Sequence, residues 1–292
     1  LSGERVDAFS SFAAQTTDGR DRMSIKVSYR SIFISDVHLG AAASRADLAA
    51  TFLKHTECST LYLVGDIIDM WRLRSRWHWP ESHNRFVRRV LKMAKHGTRV
   101  ILIPGNHDDR AREYDGLNFG GVELAREAIH ITAAGQRLLV THGDEADLVV
   151  RHHRVLSALG GAAYDRLVTL NRACNAVRAR LGLRPWSLAK HIKGRVKKAC
   201  THISRFEECL ERIALDRGFD GVVCGHIHKP EIRKGNTWYY NCGDWVESCT
   251  ALVEHDDGTM RLIDGQAFVE QFEVQDAQAL PAGDAAGVEP LV

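Results

Sequence analysis

The chain has 292 residues, 45% of them hydrophobic and 26% charged, and a net charge of only +2. This composition excludes collagen-like and low-complexity chains and suits one large α/β domain or two modest ones. No apolar run reaches the roughly 20 residues of a membrane span, and seven cysteines without a C-x-x-C pair point to reduced thiols over a disulfide framework.

Residues 1–29 are polar and weakly patterned, and they are read as a mobile arm without the apolar core of a signal peptide. With the cysteine usage, this makes the cytoplasm the expected location. Residues 30–270 are read as one domain. Strand-like runs are expected at Ser31–Ser35, Leu61–Val64, Val100–Ile103, Leu138–Thr141 and Gly221–Cys224, then at Trp238–Asn241, Cys249–Val253 and Met260–Ile263. Helical stretches at Asp47–His55 and His83–His96 complete a βαβα rhythm. Residues 146–217 lack strand signals. Their apolar positions, Ala163, Leu167, Leu170, Cys174, Val177 and Leu181, recur at helical spacing, so the segment is read as a helical insertion lying over the strand ends as a cap. Residues 271–292 are read as a disordered tail.

The first five strands share one property: each runs straight into a polar cluster. These are Asp36-Val37-His38, Gly65-Asp66-Ile67-Ile68-Asp69, Gly105-Asn106-His107-Asp108, His142-Gly143-Asp144 and Gly225-His226-Ile227-His228. Strand ends can converge at one sheet edge although far apart in sequence. Carboxylate, imidazole and amide oxygen are donors that divalent metals accept. Asp66 is the candidate bridging carboxylate. Asp36 and His38, two apart in what reads as an extended segment, would point the same way, as would His226 and His228. Asn106 offers a carbonyl oxygen and His142 an imidazole. Two divalent cations with Asp36, Asp66 and a hydroxide leave a small positive charge, suited to a phosphate. Mn²⁺ leads on ligand type, with Fe or Zn as alternatives.

The ordered set D-x-H, G-D-x-x-D, G-N-H-D, H-G-D and G-H-x-H resembles the calcineurin-like metallophosphoesterase superfamily across roughly Ser31–Ile263. The resemblance implies an α/β sandwich of two mixed β-sheets flanked by helices. It implies that Asp36, His38, Asp66 and His228 bind one metal, and Asp66, Asn106, His142 and His226 the other. It also implies that His107 contacts the phosphate and protonates the leaving group, with Asp69 as its partner. Within the superfamily the chain looks most like the UDP-2,3-diacylglucosamine pyrophosphohydrolases of lipid A synthesis, through the metal motifs, the Gly-Asp-Ile-Ile-Asp-Met-Trp run and the Gly225–Pro230 stretch. It departs from them at His107, where the best-known members carry Arg, and at Asp69, where another acid is common.

The expected substrate is therefore UDP-2,3-diacylglucosamine or a related nucleotide-linked lipid, cleaved by metal-activated hydroxide. A phosphodiesterase or nuclease acting on another phosphodiester is the alternative, although nucleic acid is not the expected partner. Residues 151–205 hold thirteen Lys or Arg and one acid, Asp165. Arg178, Arg180, Arg184, Lys193 and Lys197 are candidate phosphate contacts, and the basic insert could rest on the inner membrane face. The run from Trp71 to Trp79 starts two residues beyond Asp69, which makes Arg72, Arg74 and Trp77 candidate substrate contacts. Asn241–Ser248 is read as a wall of the same site.

Overall fold

The computed structural model describes residues 26–149 and 206–278. The expected arm up to residue 25, most of the insertion, and the tail beyond residue 278 lie outside the described residues, as do Arg178, Arg180, Arg184, Lys193 and Lys197.

Two mixed sheets face each other. The first has seven strands in the order β12-β11-β1-β2-β3-β5-β4: β1 is Val27–Ile34, β2 Thr56–Val64, β3 Arg99–Ile103, β4 Asn118–Phe119, β5 Val122–Leu124, β11 Thr250–Glu254 and β12 Met260–Asp264. The second has five, in the order β6-β7-β8-β10-β9: β6 is Ala128–Ile131, β7 Arg137–Val140, β8 Gly221–Cys224, β9 Glu231–Lys234 and β10 Trp238–Asn241. Strands β1, β2, β3 and β5 run parallel, and so do β7, β8 and β10.

The period-two alternation of strand side chains sorts the core into layers. Along β1, Ile32 and Ile34 point outward to a cluster with Leu48, Phe52, Phe86 and Val90. These come from helices α1 (Ala46–Lys54) and α3 (Glu81–Lys95). Phe33, between them, points inward and packs with Tyr62, Val64 and Ile103 against Leu138, Val140, Val223 and Tyr240 of the second sheet. Buried side chains of this size each stabilise the fold by about 1.5–3 kcal/mol. On the far face, Leu139, Val222 and Tyr239 meet Phe206, Leu210 and Ala214.

Three boundaries differ from the sequence reading. Strand β1 begins at Val27, because Val27 to Tyr29 pair with Thr56 to Cys58 of β2; the expected arm therefore ends earlier. A helix spans Gly265–Gln278, where a tail was expected from residue 271. Its Phe268 and Phe272 are buried, and Phe268 packs on Phe52, contacts that a low-aromatic tail composition hides. Residues 206–216 are helical but belong to the outer layer of the second sheet. They are held there by ion pairs of Lys229 with Glu207, at 3.1 Å, and of Arg233 with Glu211, at 2.7 Å. The described cysteines are all free thiols, and Cys224 and Cys242 are buried. Among the described residues, no helix is long and apolar enough to cross a membrane.

Back along β1 from the polar clusters, one buried polar network ties the sheets together. Glu254 of β11, fully buried, receives His130 Nε2 of β6 at 2.9 Å, the Ala133 amide at 2.7 Å and Arg30 of β1 at 3.1 Å. Burial alone would push the Glu254 carboxyl up, but these partners outweigh it and hold it below the ordinary glutamate range. Its stabilising contribution is then full above the unfolded glutamate pKa and lost as pH falls through the lower folded value. The stability gap between the wild type and Glu254→Gln, measured by urea unfolding, should narrow as pH drops from about 6 to about 3; a pH-independent gap would refute the ionised network.

Candidate metal centre

All five polar clusters arrive at the carboxyl edge of the parallel strands, three from the first sheet and two from the second. There the backbone leaves its strands abruptly. Asp36, His38, Asp66, His226 and His228 all have positive φ, from 51 to 70°. The extended segments expected at Asp36–His38 and His226–His228 are therefore not found: alternate residues are left-handed, and this folds each pair back over the sheet edge. Non-glycine residues in this region are rare and each stores roughly 1–3 kcal/mol unless the surroundings impose the geometry.

The surroundings do impose it. The loops after β1 and β2 run side by side, with the Asp36 amide donating to Gly65 O at 3.0 Å, His38 to Asp66 O at 2.9 Å and Leu39 to Ile67 O at 2.8 Å. The buried carboxylate of Asp108 accepts amides from Ile67 at 2.9 Å, Ile68 at 3.2 Å, Asp66 at 3.3 Å and Gly105 at 2.6 Å. Gly65 is left-handed at φ 79°, and a Cβ there would collide with the His142 imidazole, within 2.1 Å of Nδ1. Only glycine lets that ring lie against the loop.

Two carboxylates stand at the centre. Asp36 Oδ1 lies 3.1 Å from His228 Nε2 and 3.7 Å from His38 Nε2; its other oxygen accepts from the Ser35 hydroxyl and from the His226 amide. Asp66 Oδ2 lies 3.4 Å from His142 Nε2 and 3.9 Å from both His38 Nε2 and His107 Nε2. Donor atoms fall into three groups close enough to share an ion: Asp36 with His38 and His228, Asp66 with His142 and His226, and Asp66 with His38 and His107. Since Asp66 serves two of these groups and His38 bridges toward Asp36, the arrangement suits a dinuclear site.

The chemistry of the donors fits divalent cations. Asp36 Oδ1, His38 Nε2, Asn106 Oδ1 and His142 Nε2 are buried without a hydrogen-bond partner, a costly condition for polar atoms unless something binds them. The Nδ1 of His142 lies 3.0 Å from the Val64 carbonyl. A carbonyl only accepts, so Nδ1 carries a proton and Nε2 is the nitrogen turned toward Asp66. Burial alone would lower His142, but Asp66 and Asp36 lift it to about 10. His38 is likewise lifted to about 10 against its burial, by Asp36 and Asp69. The two carboxylates attract positive charge strongly enough to hold protons where cations fit.

His107 reaches this set through Nε2 and is held from the other side of its ring. Its Nδ1 lies 3.1 Å from Asp69 Oδ1, off hydrogen-bond alignment, and Asp69 also reaches His38 Nδ1 at 3.4 Å. Burial would raise Asp69, but His107, His38 and the Arg72 amide outweigh it and keep the group ionised. Asp69 is also the N-cap of α2 (Met70–Ser75), accepting from the Arg72 amide at 2.8 Å. Beyond it lies a cleft of about 550 Å³ lined by Met70, Trp71, Leu73, Arg74, Trp77, Asp109 and Arg110. Arg74 and Trp77 face it as candidate contacts, and Trp77 is 74% exposed. Arg72 is exposed but is not part of the lining. Asn241–Ser248 lies beside the centre, with the Trp245 amide donating to Asp36 O at 3.0 Å, but Trp245 itself is fully buried against Phe52, and Asp244 accepts the Val246 and Glu247 amides. Two contributors escaped sequence reading. Asp108 was visible only as the last letter of Gly-Asn-His-Asp. Arg112 pairs with Asp144 at 2.6 Å, linking the loops that carry Asn106 and His142.

The profile of the calcineurin-like phosphoesterases matches residues 29–230, from β1 through the last polar cluster. The chain belongs to that family. Metal-dependent phosphoester cleavage is the family's activity, and the His and Asp groups above supply its donors. Among relatives, a UDP-2,3-diacylglucosamine hydrolase of Azotobacter vinelandii is 27% identical over 70% of this chain and 83% of its own. Another, from Aliivibrio fischeri, is 24% identical over 77% of this chain and 94% of its own. A Streptococcus pneumoniae structure described as a predicted phosphoesterase aligns with 80% of this chain and 97% of its own, at 10% identity and a TM-score of 0.34.

Asp108→Ala should cost about 2–4 kcal/mol of unfolding free energy, because it strands several buried amides. It should also weaken Mn²⁺ binding in calorimetry although no candidate ligand has changed. Unaltered Mn²⁺ affinity would remove Asp108 from the organisation of this phosphoesterase site.

Proposed function

We propose that this phosphoesterase is a dinuclear enzyme that cleaves UDP-2,3-diacylglucosamine or a related nucleotide-linked lipid. The observation that carries the proposal is the set of buried, unpartnered donors around Asp36 and Asp66, in a chain whose relatives along most of their length are UDP-2,3-diacylglucosamine hydrolases. Asp36, His38, Asp66 and His228 would hold one cation, and Asp66, Asn106, His142 and His226 the other. Mn²⁺ is the favoured ion for this oxygen and nitrogen set. Bound there, the pair would acidify a water and draw charge from the phosphoryl oxygens.

The chain's own groups complete the reaction. Asp69 faces the Nδ1 of His107 and so leaves Nε2 for the substrate, where a proton on it can be delivered to the departing oxygen. Arg74 and Trp77 offer a guanidinium and an aromatic surface to the remainder of the substrate. The basic residues Arg178, Arg180, Arg184, Lys193 and Lys197 are suited to a diphosphate or to an anionic bilayer at the cytoplasmic face.

One observation favours a second reading, a phosphodiesterase acting on an ester of an alcohol. A sugar 1-phosphate leaves readily without a proton, whereas an alkoxide needs one, and His107 with Asp69 is a proton-donating pair that an arginine could not replace.

Two experiments test the proposal, the first its metal centre and the second its substrate. Asp66→Ala should abolish turnover and reduce bound metal, counted by plasma mass spectrometry, at both positions; two retained ions with normal turnover would refute the bridging role. Mn²⁺-loaded enzyme should release UMP from UDP-2,3-diacylglucosamine with kcat/KM above about 10⁴ M⁻¹s⁻¹. Turnover of a plain phosphodiester alone would select the second reading.

A further inference from the structure

The Trp71 indole lies against the His107 imidazole, with ring centroids 4.0 Å apart and planes inclined by 32°. It is the closest ring pair in the described protein, and the tryptophan is 38% exposed, so it is not an ordinary core contact. Its neighbours show what the contact does. His38 meets His107 edge-on, at 4.7 Å and 89°, and Asp69 faces Nδ1. The Met70 amide donates to the His107 carbonyl at 3.3 Å. His107 is thus bounded by a ring face, a ring edge and a carboxylate, with Nε2 pointing toward Asp66. Asp69, Met70 and Trp71 are consecutive, so the first turn of α2 forms most of this holder.

We propose that Trp71 is a positioning residue for His107, fixing the imidazole plane so that Nε2 meets the departing oxygen, while the same side chain lines the cleft that receives the leaving group. The inference rests on the reading of His107 as proton donor. It follows from how steeply proton transfer depends on alignment: the donor must lie within hydrogen-bond reach of the departing atom, and a misplacement of about 1 Å can cost about 100-fold in rate. Asp69 restrains one nitrogen of the ring but leaves it free to tilt about that contact. A flat surface against the ring removes the tilt. No other aromatic ring face among the described residues covers His107: Trp77 and Trp79 stack on each other instead, at 6.1 Å.

The test uses the full, metal-loaded chain and a series of aryl esters of UMP running from 4-nitrophenol, which departs unaided, to phenol, which benefits from a proton. UMP release gives kcat for each ester, and its dependence on leaving-group basicity reports proton donation. Trp71→Ala should lower kcat on the phenyl ester by roughly 10- to 100-fold and on the 4-nitrophenyl ester by less than about 3-fold, with the metal count unchanged. Trp71→Phe, which keeps a ring face, should restore most of the loss. In a His107→Ala background, Trp71→Ala should add no further dependence. Equal losses on every ester, or a full additional steepening in the His107→Ala background, would overturn the positioning role. If His107→Ala itself leaves the dependence unchanged, the proton-donor reading fails by its own signature, and the role of Trp71 falls with it.

Discussion

Four main-chain amides turn inward onto one buried carboxylate, that of Asp108, and the chemistry of this edge depends on that convergence. Two loops, one after β2 and one after β3, would otherwise have no common anchor. By gathering them, Asp108 fixes the left-handed turn at Asp66 and the approach of Gly105, so that Asp66 faces His142 and its Oδ1 takes the His107 amide at 2.7 Å. A low-dielectric site makes such a carboxylate expensive; burial and the nearby Asp66 push Asp108 up. The amides compensate for the lost water, and the compensation holds only while the loops keep this shape. Local strain and local satisfaction are the same structure seen from two sides.

Around this fixed centre the parts divide by duty. The central donors are held by backbone turns and by one another, which leaves little freedom for their side chains. The residues proposed to meet the substrate lie instead on the short helix α2 and the loop beside it, where Arg74 and Trp77 are exposed and no side chain of the helix is buried. Substitutions there can alter what enters the cleft without disturbing the donors. Asp69 sits on the boundary, serving both as helix cap and as partner of His107 and His38.

The central strands were legible because β1, β2, β3, β7 and β8 carry short apolar runs ended by polar clusters. The residue types of the centre were legible for the same reason: Asp, His and Asn stand at strand ends where no core position would keep them. What the sequence hid is geometry that depends on distant partners. Strands β4, β5, β6 and β9, at or next to the sheet edges, are short and mixed in polarity, so no periodicity marks them. The left-handed turns at Asp36 and His38 come from pairing with the loop after β2. Phe272 looked like the last aromatic of a tail, and only the packing of Phe268 against Phe52 and Phe272 shows otherwise. Trp71, Trp77 and Trp79 read alike in sequence, yet one lies on His107, one is open to solvent, and one donates its indole N–H to Asn84.

Two of the three donor groups at the carboxyl edge draw on both layers of the sandwich: Asp36 and His38 from the first with His228 from the second, and Asp66 from the first with His142 and His226 from the second. An ion held by such a set is a staple across the seam as well as a reagent. Its binding free energy adds to the cohesion of the two layers, alongside the Glu254 network further back along β1. An ion bound there would therefore set how long the folded molecule survives as well as how fast it works, and its loss would expose the chain to unfolding and proteolysis along with ending its activity.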